Sequence, residues 1–112
     1  MPDHNKDAQC VEELRLDSTG VWRITTVGST HVLDLVDGTA TRIPGPEAAI
    51  SVNDCCRPLR TLDRCRVGER GRWTMQSDDW SVDYYWQVTS TILRIQEVIP
   101  GGGDECAAAG NV

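Results

Sequence analysis

The chain reads as an all-β domain, a small antiparallel barrel or sandwich of about seven short strands linked as meander hairpins. Three observations predict this. Apolar and polar residues alternate in short runs, the period of a strand with one buried face. Turn signals built on Gly, Pro and Asp recur about every 8–12 residues. No segment carries a convincing helical pattern. At 112 residues the chain is one domain, since a second core would have too little surface to bury. Residues 11–100 are assigned to that domain.

The first ten residues, "MPDHNKDAQC", are polar and read as a disordered tail, without the basic-then-apolar order of an export signal. Between positions 20 and 45 lies the clearest local structure, "GVWRITTVGSTHVLDLVDGTATRIPG". Two β-rich runs flank Gly28-Ser29, and a glycine at the first central position suits a type II′ turn. A two-residue turn there pairs Trp22 with Leu35, Ile24 with Leu33 and Thr26 with His31 on one face. Arg23 then meets Asp34 on the other. A slip of one residue would destroy both matches. Asp37-Gly38 begins a further turn and "TATRI" a third strand; either Arg42 or Ile43 faces the core, depending on the turn type. The stretch from Pro44 to Pro58 is a connection with at most one helical turn, beginning near Pro46.

A second hairpin follows in "LRTLDRCRVGERGRWTMQS". Cys65 and Val67 share one face and Arg64 and Arg66 the other, while Trp73 and Met75 alternate with Arg72, Thr74 and Gln76. From position 80 the even residues are Trp80, Val82, Tyr84, Trp86 and Val88. The odd ones are Ser81, Asp83, Tyr85, Gln87 and Thr89. The bulkier even set is expected to face the core, leaving Tyr85 on the solvent side. Beyond Val88 the apolar positions become Leu93 and Ile95, so "TST" (89–91) must hold a bulge or bend. Residues 101–112, "GGGDECAAAGNV", read as a Gly-rich acidic disordered tail.

Charge narrows the function classes. The net charge is -6, yet residues 57–72 hold six Arg against Asp63 and Glu69. The overall acidity disfavours non-specific nucleic-acid binding, which rests on phosphate neutralisation. Five cysteines, an odd number, without an export signal point to free thiols in a cytoplasmic setting. No apolar run reaches the roughly 18 residues that span a bilayer, so no membrane association is expected.

Catalytic chemistry finds little support. There is no P-loop, dinucleotide fingerprint or nucleophile elbow. Cys55 or Cys56 with His31 lacks any supporting spacing, and Asp78, Asp79 and Asp83 read as a solvated turn. Cys55, Cys56, Cys65 and His31 offer a weak zinc set, because adjacent cysteines diverge in extended backbone. The expectation is a non-enzymatic module without cofactor that contacts a protein partner, with self-association also open. Its binding residues are Arg64, Arg66, Arg70 and Arg72, whose planar forks suit phosphates or carboxylates. Two alternatives stand beside it. One is a single-strand nucleic-acid barrel in which those arginines track phosphates and Tyr85 stacks a base. The other is a Cys/His metal or thiol protein.

The succession W-R-x-T-T (22–26), T-R-x-P-G (41–45), C-x-V-G (65–68) and T-S-x-x-x-R-I (89–95) resembles short uncharacterised β-rich proteins of actinobacteria and their phages. The resemblance spans residues 21–96. It implies a bacterial or phage cytoplasm and carries over no activity and no functional residue.

Overall fold

The computed structural model describes residues 9–46 and 49–99. The tails expected at 1–10 and 101–112 lie outside it, except that Gln9 and Cys10 belong to the folded part. Seven strands follow in order: β1 (Cys10–Val11), β2 (Val21–Thr26), β3 (Ser29–Asp34), β4 (Thr39–Pro44), β5 (Arg57–Arg64), β6 (Arg70–Gln76) and β7 (Tyr84–Glu97). All pairings are antiparallel. The sheet runs β1-β7-β2-β3-β4-β5-β6, and a further pairing of β6 with β7 returns it to its start. The expected all-β architecture is therefore present, with its ring of strands closed through β7.

Closure depends on the length of β7. Its first half pairs with β6, from Tyr84 opposite Gln76 to Thr91 opposite Arg70. Its second half pairs with β2, from Ile92 opposite Thr26 to Glu97 opposite Trp22. Two irregularities bend it between these partners. One sits where Val88 and Thr91 oppose Arg72 and Arg70, within the "TST" segment that parity singled out. The other leaves Leu93 as the extra residue between partners of Thr25 and Thr26. A bulge turns one side chain out of register. Hence Ile92 and Ile95 are both buried while Leu93, expected inside, is exposed.

The core is built from Trp22, Ile24, Leu33, Trp73, Met75, Ile92 and Ile95, with Leu14 and Cys65 together at one end. Leu14 N–H donates to the Cys65 carbonyl at 2.9 Å. The β2–β3 hairpin keeps the expected inward face of Trp22, Ile24, Thr26, His31 and Leu33, but its register differs by two residues. Trp22 opposes Leu33, Ile24 opposes His31 and Arg23 opposes Val32. The loop is Val27–Gly28, not Gly28–Ser29. Thr26 fixes it: its hydroxyl accepts from Ser29 N–H at 3.0 Å and donates to the Ser29 carbonyl at 2.8 Å. Ser90 of β7 then holds the loop down, donating to Thr26 Oγ1 and accepting from Gly28 N–H, both at 3.0 Å. The expected Arg23–Asp34 pair is replaced. The Asp34 carboxylate instead accepts from Val36 and Asp37 N–H in the next turn, where Gly38 takes the positive φ of 75° that favours glycine.

On β4 the register resolves the choice left open by the sequence. Arg42 points inward and Ile43 outward. Arg42 lies opposite buried His31 and forms an ion pair of 2.8 Å with Asp54. Asp54 ends a short 3-10 helix (Val52–Asp54), capped by Ser51 in a capping box; the helical turn expected to begin near Pro46 runs into residues 47 and 48, outside the described residues. Burial pushes the Asp54 carboxyl up, but bonds from Ser51 N–H and Arg42 outweigh it and hold it below its ordinary value. His31 is pushed down to about 4, chiefly by burial and then by Arg42. It stays neutral, with Nε2 bonded to Ser29 Oγ at 2.9 Å and its ring edge-on to Trp73 at 5.3 Å.

Candidate binding face

The second hairpin forms as expected, β5 against β6, with Cys65 buried and Val67 half-buried beside the core. Directly opposed residues share a face of the sheet. Leu62 opposes Trp73 and Leu59 opposes Met75, and all four point inward; Thr61 opposes Thr74 and Arg64 opposes Arg72 on the outside. The same rule then fixes β7. Trp73 opposes Gln87 and Met75 opposes Tyr85. Because Trp73 is 1% exposed and Met75 2%, Gln87 and Tyr85 must turn inward with them.

The expected inside and outside of residues 80–88 are therefore reversed. Trp80 is 97% exposed, Trp86 64% and Tyr84 39%, while Val82 and Val88 are half-buried. The cause is space. Trp73 already fills this end of the interior, so β7 contributes the smaller inward set Tyr85, Gln87 and Thr89. Their polar atoms are met: Thr89 Oγ1 accepts from Gly71 N–H at 2.8 Å, and Gln87 Oε1 accepts from Asn53 Nδ2 at 2.9 Å. Trp80 is not in a strand. It caps a loop whose turn is held by Asp79, which accepts from Ser81 N–H and Oγ at 3.0 and 2.7 Å.

The outer face of β5–β6–β7 carries what this reversal exposes. Cross-strand rows place Arg64 beside Arg72 and Val88, then Thr61 beside Thr74 and Trp86, then Gln76 beside Tyr84. A cleft of about 550 Å³ is lined by Asp63, Arg64, Arg70, Gly71, Arg72 and Val88. A second, of about 540 Å³, lies between β7 and the segment around Ser51 and Asn53, with inward residues Arg42, Tyr85 and Gln87 in its walls as well as Trp86 and Val88. The two meet at Val88. Arg60 lies over the Tyr84 ring, its guanidinium carbon 4.3 Å from the centroid, which orders both side chains on the surface.

The sequence-derived binding residues separate accordingly. Arg64, Arg70 and Arg72 gather around one cleft. Arg70 is oriented by its Nε, which donates to the Thr89 carbonyl at 2.8 Å. Arg66 sits on the β5–β6 turn, facing Glu13 and Glu69 at 4.0 Å each. Tyr85 is not on the face. Its ring packs against the core beneath Arg57, 4.5 Å away, and its hydroxyl donates to Asp78 at 3.0 Å. Arg57 also pairs with Asp78; hydrogen bonds from Arg57 and then Tyr85 hold that carboxyl below its ordinary value. Trp86, Tyr84, Trp80 and Arg60 are the residues that reading by parity missed. Trp73 and Met75, set against them in the hairpin partner, held the signal that would have found them.

The Cys/His set does not assemble. Cys65 is buried, Cys55 and Cys56 are exposed, and among the described residues no group of three or more His, Cys, Asp or Glu is placed to hold a metal. Burial, with Glu13 nearby, pushes the Cys65 thiol up to about 12, which makes it a poor nucleophile. No helix of the described residues is long and apolar enough to cross a membrane. Comparison of the chain with protein-family models, with curated proteins and with solved structures finds no match.

Proposed function

We propose that this chain is a non-enzymatic binding module, of bacterial or phage origin and cytoplasmic, that engages a macromolecular partner through the outer face of β5–β6–β7. The observation that carries the reading is the exposure of Trp86 and Tyr84 on the same face as Arg60, Arg64 and Arg72. Large apolar side chains left open in a group mark surfaces that bind. Trp, Tyr and Arg also dominate the residues that carry binding energy in interfaces. The free thiols of Cys10, Cys55, Cys56 and Cys65 suit a reducing compartment.

Affinity purification from the native host tests the face. Wild-type chain, a face variant carrying Arg64→Glu with Arg72→Glu, and a control with Val27→Glu on the exposed β2–β3 loop are compared after circular dichroism shows each folded. The expected result is a partner retained by wild type and control and lost by the face variant. Retention by the face variant would overturn the reading.

A further inference from the structure

Building on that reading, we propose that the partner is a single-stranded nucleic acid, its phosphates held by Arg64, Arg70 and Arg72 and a base stacked on the open ring of Trp86. The arginines come first. Arg64 and Arg72 stand directly opposite each other on adjacent strands, an arrangement that is unfavourable for like charges. Arg64 is partly relieved by Glu69 at 3.6 Å. Among the described residues Arg72 has no ion-pair partner, and it stays exposed. Arg70, held by Nε, lines the same cleft, whose three arginines outnumber its one carboxylate, Asp63. An anion seated there relieves the repulsion and accepts from planar donors.

The aromatic residues decide which anion. Tyr84, Trp86 and Val88 alternate along one edge of the face, about 6.6 Å apart at ~3.3 Å per residue. Val88 stands next to Arg72. The open Trp86 ring on β7 therefore stands one row from the arginines of β5 and β6 at the Val88 position, an arrangement that a polyanion carrying flat groups can match. An acidic peptide would use the arginines and leave the Trp86 ring without a partner. A duplex would present phosphates but hide its bases. Every base has a face that can stack, so binding is tolerant of sequence. It is also weak, because three cations act on a chain whose net charge is -6. Three phosphate contacts give a slope of log K against log salt of about -2 for a single strand.

The test is fluorescence anisotropy with a labelled oligothymidylate of about 12 nucleotides, within the span one small barrel covers. The same oligomer as duplex and a labelled polyglutamate peptide are the competitors. The expected result is binding of the single strand with a slope near -2 and clear preference over duplex and peptide. Trp86→Ala should weaken it by about 5- to 150-fold, the range for a lost base stack, and Trp86→Tyr should restore much of it. Arg72→Glu should weaken it and flatten the slope. Circular dichroism and urea midpoints establish that each variant is folded. Absence of binding at low salt, duplex bound as well as single strand, or insensitivity to Trp86→Ala would overturn the proposal. Preference for polyglutamate would overturn the partner and leave the face standing. Failure of the face itself would show separately, as partner retention by the Arg64→Glu, Arg72→Glu variant in the purification above.

Discussion

Replacing Gly71 by alanine strikes the point where the barrel closes. A methyl group at this position would lie 2.7 Å from Cζ3 of Trp73, 3.1 Å from Cδ1 of Ile92 and 3.2 Å from Oγ1 of Thr89. The first distance is shorter than any carbon contact tolerates, and the Trp73 ring is enclosed by its neighbours, with His31 edge-on at 5.3 Å. Relief must come from moving β6 away from β7, which strains the Gly71 N–H to Thr89 bond of 2.8 Å. Overpacking of this kind costs about 1–3 kcal/mol, and a domain of this size shifts in Tm by about 4–8 °C per kcal/mol. A fall of about 4–24 °C is therefore expected for Gly71→Ala in a thermal scan followed by circular dichroism. Glycine at position 71 has no need of positive φ, so the loss would report contact and not backbone strain. An unchanged Tm would mean that Trp73 does not lie beneath Gly71 and that β6 and β7 do not close the ring as described.

His31 makes stability depend on pH. Its folded pKa of about 4 lies below the ordinary 6.5, so between these values the unfolded chain binds more protons and stability falls as pH is lowered from about 6.5 towards about 4. The full loss is on the order of 3 kcal/mol; urea midpoints across this window should show it, and His31→Gln should flatten it, whereas an equal slope in the variant would assign the effect elsewhere. Asp54, held low by Ser51 N–H and then Arg42, and Asp78, held low by Arg57, lose their contribution as pH falls through and below the ordinary carboxylate value, so they add only at the acid end of that window. Thiol titration should find Cys55 and Cys56 reactive in the native chain and Cys65 protected until denaturant is added; prompt modification of Cys65 would contradict its burial. Arg42→Met should destabilise the chain by leaving Asp54 without its 2.8 Å partner, by about 1–3 kcal/mol in urea titration, and no change would show that the pair is screened.

Much of the fold was legible because strand patterns and turn residues are local. The inward set Trp22, Ile24, Thr26, His31 and Leu33 followed from alternation alone. Its cross-strand partners did not, because Thr26 and Ser90 fix the turn through side-chain bonds, and one of them comes from 64 positions away. The bend near Thr89 was readable from a change in parity, whereas the exposure of Leu93 depended on a bulge set by β2. The candidate site divides the same way. Arg64 and Arg72 were readable as the solvent face of a hairpin. Trp86 and Tyr84 were not, since a period of two defines two faces without saying which one is inside. Bulk suggested one answer, and the space already taken by Trp73 imposed the other.

Hydroxyl-radical footprinting of the free chain, read residue by residue by mass spectrometry, tests this inside–outside assignment most directly. Trp80 and Trp86 should oxidise rapidly, while Trp22 and Trp73, at 7% and 1% exposure, should be protected until the chain unfolds. Protection of Trp80 and Trp86 together, with Trp73 open, would return the aromatic side of β7 to the core and remove the binding face.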